Sequence, residues 1–234
     1  MEITEFLLEN EGAVVIKARN GKEAAEIFER SEKYGIDVVL MDITAPETDG
    51  FSASEAIRSL KRADALATPI IALTANVFTD GREKTELDGM DGHLAKPIES
   101  AELKKVLYGY TGTKTLTIQE CYENIGSSYD NVKQRLKCDD ESIAEAIKFF
   151  MHDDHIITFF DAIYKHDVQK AFIAAHTLKG ISANLGFDRL LSVFSDITQY
   201  LRKEDYDKAA ELVTTARNNY VTVINAFRRC KGMI

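Results

Sequence analysis

The periodicity of apolar residues changes once along this 234-residue chain, around Tyr110-Thr111-Gly112-Thr113-Lys114, and that change limits the possible folds more than any other feature. Before it, short β-branched runs alternate with amphipathic stretches, the pattern of a parallel sheet with crossover helices. After it, strand signals vanish and apolar residues return every 3.6 positions, the pattern of packed helices. The chain therefore divides into an α/β domain over 1–110, a linker over 111–116 and an all-α domain over 117–234.

In the first half, Ala13-Val14-Val15-Ile16-Lys17-Ala18 predicts a strand before a helix over 22–33, and Ile36-Asp37-Val38-Val39-Leu40-Met41 a strand before a helix over 52–61. Pro69-Ile70-Ile71-Ala72-Leu73 predicts a third strand, with a short helix over 81–88 behind it. Gly92-His93-Leu94-Ala95-Lys96 predicts the last strand, before a helix over 99–108. Near-continuous apolar character in the middle strands calls for cover on both sheet faces. The second half predicts helices over 118–125, 129–136, 141–151, 156–164, 168–185, 188–201 and 206–229. One apolar stripe per helix, such as Leu190, Phe194, Ile197 and Leu201, makes a bundle.

Composition excludes several classes. A chain with 45% apolar and 29% charged residues is a folding chain rather than a disordered one. Its apolar runs are far shorter than the roughly 20 residues of a membrane span, and Met1-Glu2-Ile3-Thr4-Glu5 resembles no signal peptide, so a cytoplasmic protein without membrane contact is expected. Residues 1–112 hold 13 Lys+Arg against 21 Asp+Glu, and 113–234 hold 16 against 17. Without a basic stripe there is little to bind a phosphate backbone, so no nucleic-acid partner is expected. Cys121, Cys138 and Cys230 match no metal spacing and read as reduced thiols.

Asp42, Thr74 and Lys96 each follow a predicted strand. Carboxyl ends of parallel strands line the ligand crevice of an open sheet, so these three can meet although they lie far apart in sequence. A carboxylate, a hydroxyl and an amine together suit phosphoryl transfer onto the carboxylate: its oxygen attacks phosphorus while the other two steady the phosphoryl oxygens. Lys96-Pro97 adds a candidate cis peptide.

Met41-Asp42-Ile43-Thr44-Ala45-Pro46-Glu47-Thr48-Asp49-Gly50, Ile71-Ala72-Leu73-Thr74-Ala75-Asn76 and Gly92-His93-Leu94-Ala95-Lys96-Pro97 resemble the phosphoacceptor loop, switch strand and lysine strand of response regulator receiver domains. The resemblance implies a flavodoxin-like doubly wound sheet, with Asp42 as phosphoacceptor, Thr74 as reporting hydroxyl and Lys96 as phosphate contact. His93 stands at the switch-aromatic position, and Thr44 and Asn76 flank the site. The family opens with a strand ending in acidic residues that bind magnesium, and residues 1–12 resemble only the last turns of the helix after it. The expectation is thus a receiver lacking its first strand and acidic pair. Magnesium at Asp42 and Thr44 would then be weak or lost, because the ion wants several oxygen ligands.

In the second half, Ala171, Ala174, Ala175, Leu178, Ile181 and Leu185 gather on one side of the helix over 168–185, and His176 points away from them beside Phe172, Lys179, Gly180 and Ala183. An exposed imidazole over small residues, with a cation one turn away, suits a nucleophile that exchanges phosphate with a docking protein. Ala175-His176-Thr177-Leu178-Lys179-Gly180-Ile181-Ser182-Ala183-Asn184-Leu185-Gly186 resembles the active helix of histidine-containing phosphotransfer domains. That resemblance assigns the phosphoryl group to His176, its steadying to Lys179 and the clear approach to Gly180. The cluster His152-Asp153-Asp154-His155 reads as a polar turn, and the charges over 202–207 as a solvated face.

Together the motifs resemble the carboxyl-terminal part of a hybrid sensor histidine kinase. They imply a phosphorelay module between an upstream sensor histidine kinase and a downstream response regulator. The alternative is an interaction scaffold with a degenerate, non-phosphorylatable receiver. A phosphohydrolase using Asp42 is the weaker third reading, since Asp42-Ile43-Thr44 lacks a second aspartate two residues on.

Overall fold

The five residues Ile70-Ile71-Ala72-Leu73-Thr74 are buried at every position, and the first part of the chain is assembled around them. The computed structural model describes residues 2–43, 50–75, 89–112, 115–230 and 232. It divides into two units, residues 1–60 with 68–113 and residues 61–67 with 114–234.

The first unit comprises helices α1 (Glu2–Asn10) and α2 (Gly21–Arg30), strand β1 (Val39–Asp42), helix α3 (Gly50–Arg58), strands β2 (Ile70–Thr74) and β3 (Gly92–Ala95), and helix α5 (Ser100–Thr111). Between α3 and β2 in sequence lies α4 (Ala63–Ala67), a single turn that belongs to the second unit. The strands are parallel in the order β1-β2-β3, with Val39 opposite Ile70 and Ile71 opposite Gly92. Successive strand residues face opposite ways. Ile71 and Leu73 join Leu8 of α1, Leu94 and Leu103 of α5 in one cluster. Ile70 and Ala72 face the other way and are equally buried, so both faces are covered as the apolar runs predict.

Arg58 fixes the strand starts. Its guanidinium donates to the carbonyls of Gly89 (3.0 Å) and Thr68 (2.9 Å) and to Asp91 Oδ2 (2.5 Å), and the same carboxylate oxygen accepts from the Ile70 amide at 2.8 Å. One side chain thus holds the entries to β2 and β3 in register.

The strand expected over 13–18 does not form. Val14 and Ile16 are 93% and 60% exposed, and only Val15 packs against the cluster. A strand exists by its ladder bonds to a neighbour, and among the described residues none lies beside this segment; β1 forms an edge of the sheet. The helix expected over 81–88 lies outside the described residues.

The second unit continues with α6 (Ile118–Asn124), α7 (Tyr129–Leu136), α8 (Asp140–His152), α9 (His155–Tyr164), α10 (Val168–Leu185), α11 (Asp188–Arg202), α12 (Tyr206–Glu211) and α13 (Val213–Arg228). Thr117 and Glu120 close a capping box on α6. The helix expected over 206–229 is broken at Leu212, whose amide reaches back three residues to the Ala209 carbonyl at 3.3 Å. That tight turn involves neither proline nor glycine, so the sequence does not announce it. Tyr122, Phe150, Phe187, Tyr220 and Phe227 fill the core. A parallel bridge pairs Leu116 with Cys230 and joins the two ends of the bundle.

Gly186 closes α10 with φ +68, and a Cβ there would stand 2.5 Å from Val132 Cγ2. Gly186→Ala combines left-handed strain with overpacking and is expected to cost about 2–4 kcal/mol in urea unfolding. A loss below about 1 kcal/mol would show that α7 can yield at this point.

Candidate functional site

Register brings the three strand-end residues together. Asp42 ends β1 opposite Leu73, Thr74 ends β2 opposite Ala95, and Lys96 follows β3, its amide donating to the Thr74 carbonyl at 2.7 Å. The Lys96 ammonium donates to Asp42 Oδ2 at 2.5 Å. Both side chains remain partly open to solvent, 33% for Lys96 and 43% for Asp42, whereas Thr74 is buried. A half-exposed ion pair contributes little to stability. The Lys96-Pro97 peptide is cis, as expected.

Gly50, which opens α3, has little room for a side chain. A Cβ there would lie 3.1 Å from Ile43 Cγ2, 3.2 Å from Ile43 Cα and 3.3 Å from the Asp42 carbonyl oxygen, so a side chain would push on the backbone that carries Asp42. Thr44 and Asn76 lie outside the described residues. His93 is exposed on β3.

Of the two magnesium ligands expected here, Asp42 is among the described residues and Thr44 is not. The ion asks for several hard oxygen ligands. Among the described residues no group of three or more His, Cys, Asp or Glu side chains could hold a metal ion, and Asp42 already engages an ammonium.

The second site stands on α10, which buries Ala171, Ala174, Ala175, Leu178, Ser182 and Leu185. His176 is exposed on the opposite face. Ile181, expected in the buried set, is only half-buried, and Ser182 takes the interior place. Lys179 is half-buried one turn on, and Gly180 is exposed with nothing within 4 Å of an added Cβ. The bundle therefore does not require glycine at 180, and the space beside His176 is open to an incoming surface.

Sequence reasoning placed Phe172 beside the imidazole and missed the contact that backs it. Phe172 stacks on His176, a neighbour legible from its spacing of four. Arg202 lies over the Phe172 ring from α11, a contact between helices that no local pattern encodes. Of the other histidines, His155 and His152 are engaged locally: His155 Nδ1 lies 2.8 Å from Asp153 Oδ1, and His152 Nδ1 lies 2.9 Å from the Lys148 carbonyl.

Residues 1–108 match the response regulator receiver domain, and residues 141–227 match the Hpt domain. An uncharacterized 14.6 kDa protein of Leptolyngbya boryana is 34% identical over 109 residues, 47% of this chain and 79% of that protein. The chain carries a response regulator receiver domain followed by an Hpt domain. The sensor protein GacS of Pseudomonas syringae pv. syringae is 34% identical over 111 residues, 47% of this chain but 12% of that protein. Probable histidine kinase 2 of Oryza sativa subsp. japonica is 36% identical over 114 residues, 44% of this chain and 11% of that protein. The chain thus spans about a tenth of the length of these two kinases. Among solved structures, the receiver domain of a sensor histidine kinase from Pseudomonas aeruginosa, with magnesium coordinated in its active site cleft, is 37% identical, with a TM-score of 0.42 over 48% of this chain and 88% of that one.

Receiver plus Hpt domain fits a two-component phosphorelay module. No helix among the described residues is long and apolar enough to cross a membrane.

Proposed function

We propose that Asp42 of the receiver and His176 of the Hpt domain are successive stations for one phosphoryl group. The observation that carries this reading is the convergence of Asp42, Thr74 and Lys96 at the strand ends, with the ammonium 2.5 Å from the carboxylate. In the first transfer, an Asp42 oxygen attacks phosphorus on the phosphohistidine of an upstream sensor histidine kinase. The O–P bond forms as the N–P bond breaks, and the departing imidazole keeps the electron pair. Lys96 and Thr74 offset charge on the phosphoryl oxygens. In the second, the His176 imidazole attacks the acyl phosphate, and Asp42 leaves as a carboxylate. The same exchange at His176 then serves an aspartate on a downstream response regulator. Each step is a near-balanced exchange between carriers, so the net direction is set by the partners.

The scaffold reading draws on one observation, that no group of acidic, histidine or cysteine side chains among the described residues could hold a metal ion. Acetyl phosphate labelling separates the two. In the relay, the wild-type chain takes phosphate on Asp42, Asp42→Asn takes none, and Lys96→Ala lowers the rate about 100-fold, in line with losing one electrostatic donor. A scaffold would leave Asp42 unlabelled at any magnesium concentration while His176 still accepts phosphate from phosphoramidate. Multiple-turnover release of inorganic phosphate would instead revive the phosphohydrolase.

A further inference from the structure

The imidazole of His176 is exposed, yet one of its sides is occupied. Phe172, one turn earlier on α10, lays its ring beside the imidazole with 6.0 Å between centroids and 15° between planes. From the last turn of α11, the guanidinium carbon of Arg202 lies 5.8 Å from the centroid of that phenyl ring. Near-parallel rings and a cation over an aromatic face are both attractive arrangements. The chain of contacts runs from one helix to its neighbour and ends on the candidate nucleophile.

Its value follows from what is missing on the other side. Beside Gly180 nothing within 4 Å would meet even a Cβ, so at that position the bundle supplies no side chain to hold the imidazole. On a helix a free histidine spreads over about two χ1 wells, since the third clashes with the preceding turn, and two broad χ2 orientations, so any one arrangement holds about a quarter of the population. In-line transfer needs the reacting nitrogen aimed at phosphorus, and misaimed orientations are unproductive.

We propose that Phe172 and Arg202 are positioning residues for His176: the phenyl ring sets the plane of the imidazole, and the guanidinium holds the phenyl ring in place from α11. The inference rests on the reading of His176 as a phosphoryl carrier. Neither residue needs to touch the phosphoryl group, and their effect passes through the ring they orient. This separates them from Lys179, which carries its charge on the helix of the histidine itself.

The test uses the full chain. His176 is labelled with phosphoramidate, and transfer is followed as a single turnover onto a stand-alone response regulator receiver chosen because it drains the wild-type phosphohistidine. A small donor can reach the ring in any orientation, so Phe172→Leu should label within about twofold of wild type, whereas its transfer to the receiver should fall about fourfold. Arg202→Gln should slow transfer about two- to threefold, and Arg202→Lys should restore most of the rate because an ammonium can also sit over the ring. Without any partner, the imidazole proton resonances of His176, displaced by the Phe172 ring current, should move to the positions of an unstacked histidine in Phe172→Leu. Transfer at the wild-type rate, or unmoved resonances, would overturn the positioning role and leave the carrier reading intact. Failure of the wild-type chain to take label on His176 would overturn both.

Discussion

His176→Gln should abolish phosphate uptake by the Hpt domain and leave its melting temperature within about 2 °C of wild type. The loss is complete if, as proposed, the imidazole nitrogen is the nucleophile, because a carboxamide offers no replacement. The stability is spared because His176 is exposed while Ala171, Ala174, Ala175 and Leu178 carry the packing of α10. An exposed polar exchange costs under about 0.5 kcal/mol, which for a chain of this size moves the midpoint by about 1–2 °C. What the variant does lose is the Phe172 stack, a contact at the surface. Phosphoramidate labelling read by phosphorus NMR, together with calorimetry on the same sample, checks both halves. A drop of many degrees would make His176 a structural residue, and retained labelling would move the carrier to another histidine.

Both candidate sites were legible in the sequence because each is a local motif on a regular element. Asp42, Thr74 and Lys96 follow strands whose parallel register aligns their carboxyl ends, so identifying the strands was enough to bring them together. The exposure of His176 follows from helix periodicity alone, since its apolar neighbours turn to the other side. The failures share a physical cause, dependence on something beyond the segment itself. The run over 13–18 has the composition of a strand, but strand formation needs a partner. Leu212 breaks a helix whose propensity is continuous, and Arg202, which read as one of several solvated charges, gains its meaning only where α11 lies against α10. The turn α4 was passed over because five residues, Ala63–Ala67, are too few for a periodic signal.

Preceding α1 with a hydrophobic strand that ends in two carboxylates should raise both the melting temperature and the rate at which Asp42 takes phosphate from acetyl phosphate. The stability gain follows from the first unit as it stands. Val14 and Ile16 present apolar side chains to solvent, the backbone over 13–18 pairs with no described strand, and β1 forms an edge of the sheet. A strand set between them would supply ladder bonds to both and bury apolar surface at roughly 25 cal/mol per Å². The rate gain follows from charge. The Lys96 ammonium is bonded to the Asp42 carboxylate and no cluster among the described residues could hold a metal ion, so further positive charge should ease the approach of a dianionic donor. Two more carboxylates beside Asp42 would complete an oxygen set that a divalent ion accepts, and labelling should become magnesium-dependent and rise by at least about tenfold. A strand carrying two asparagines in place of the carboxylates should deliver the stability without the rate, which separates the two contributions. If the 234-residue chain labels at Asp42 as fast as the extended one at equal magnesium, cation affinity does not limit the chemistry, and Lys96 with Thr74 suffices for it.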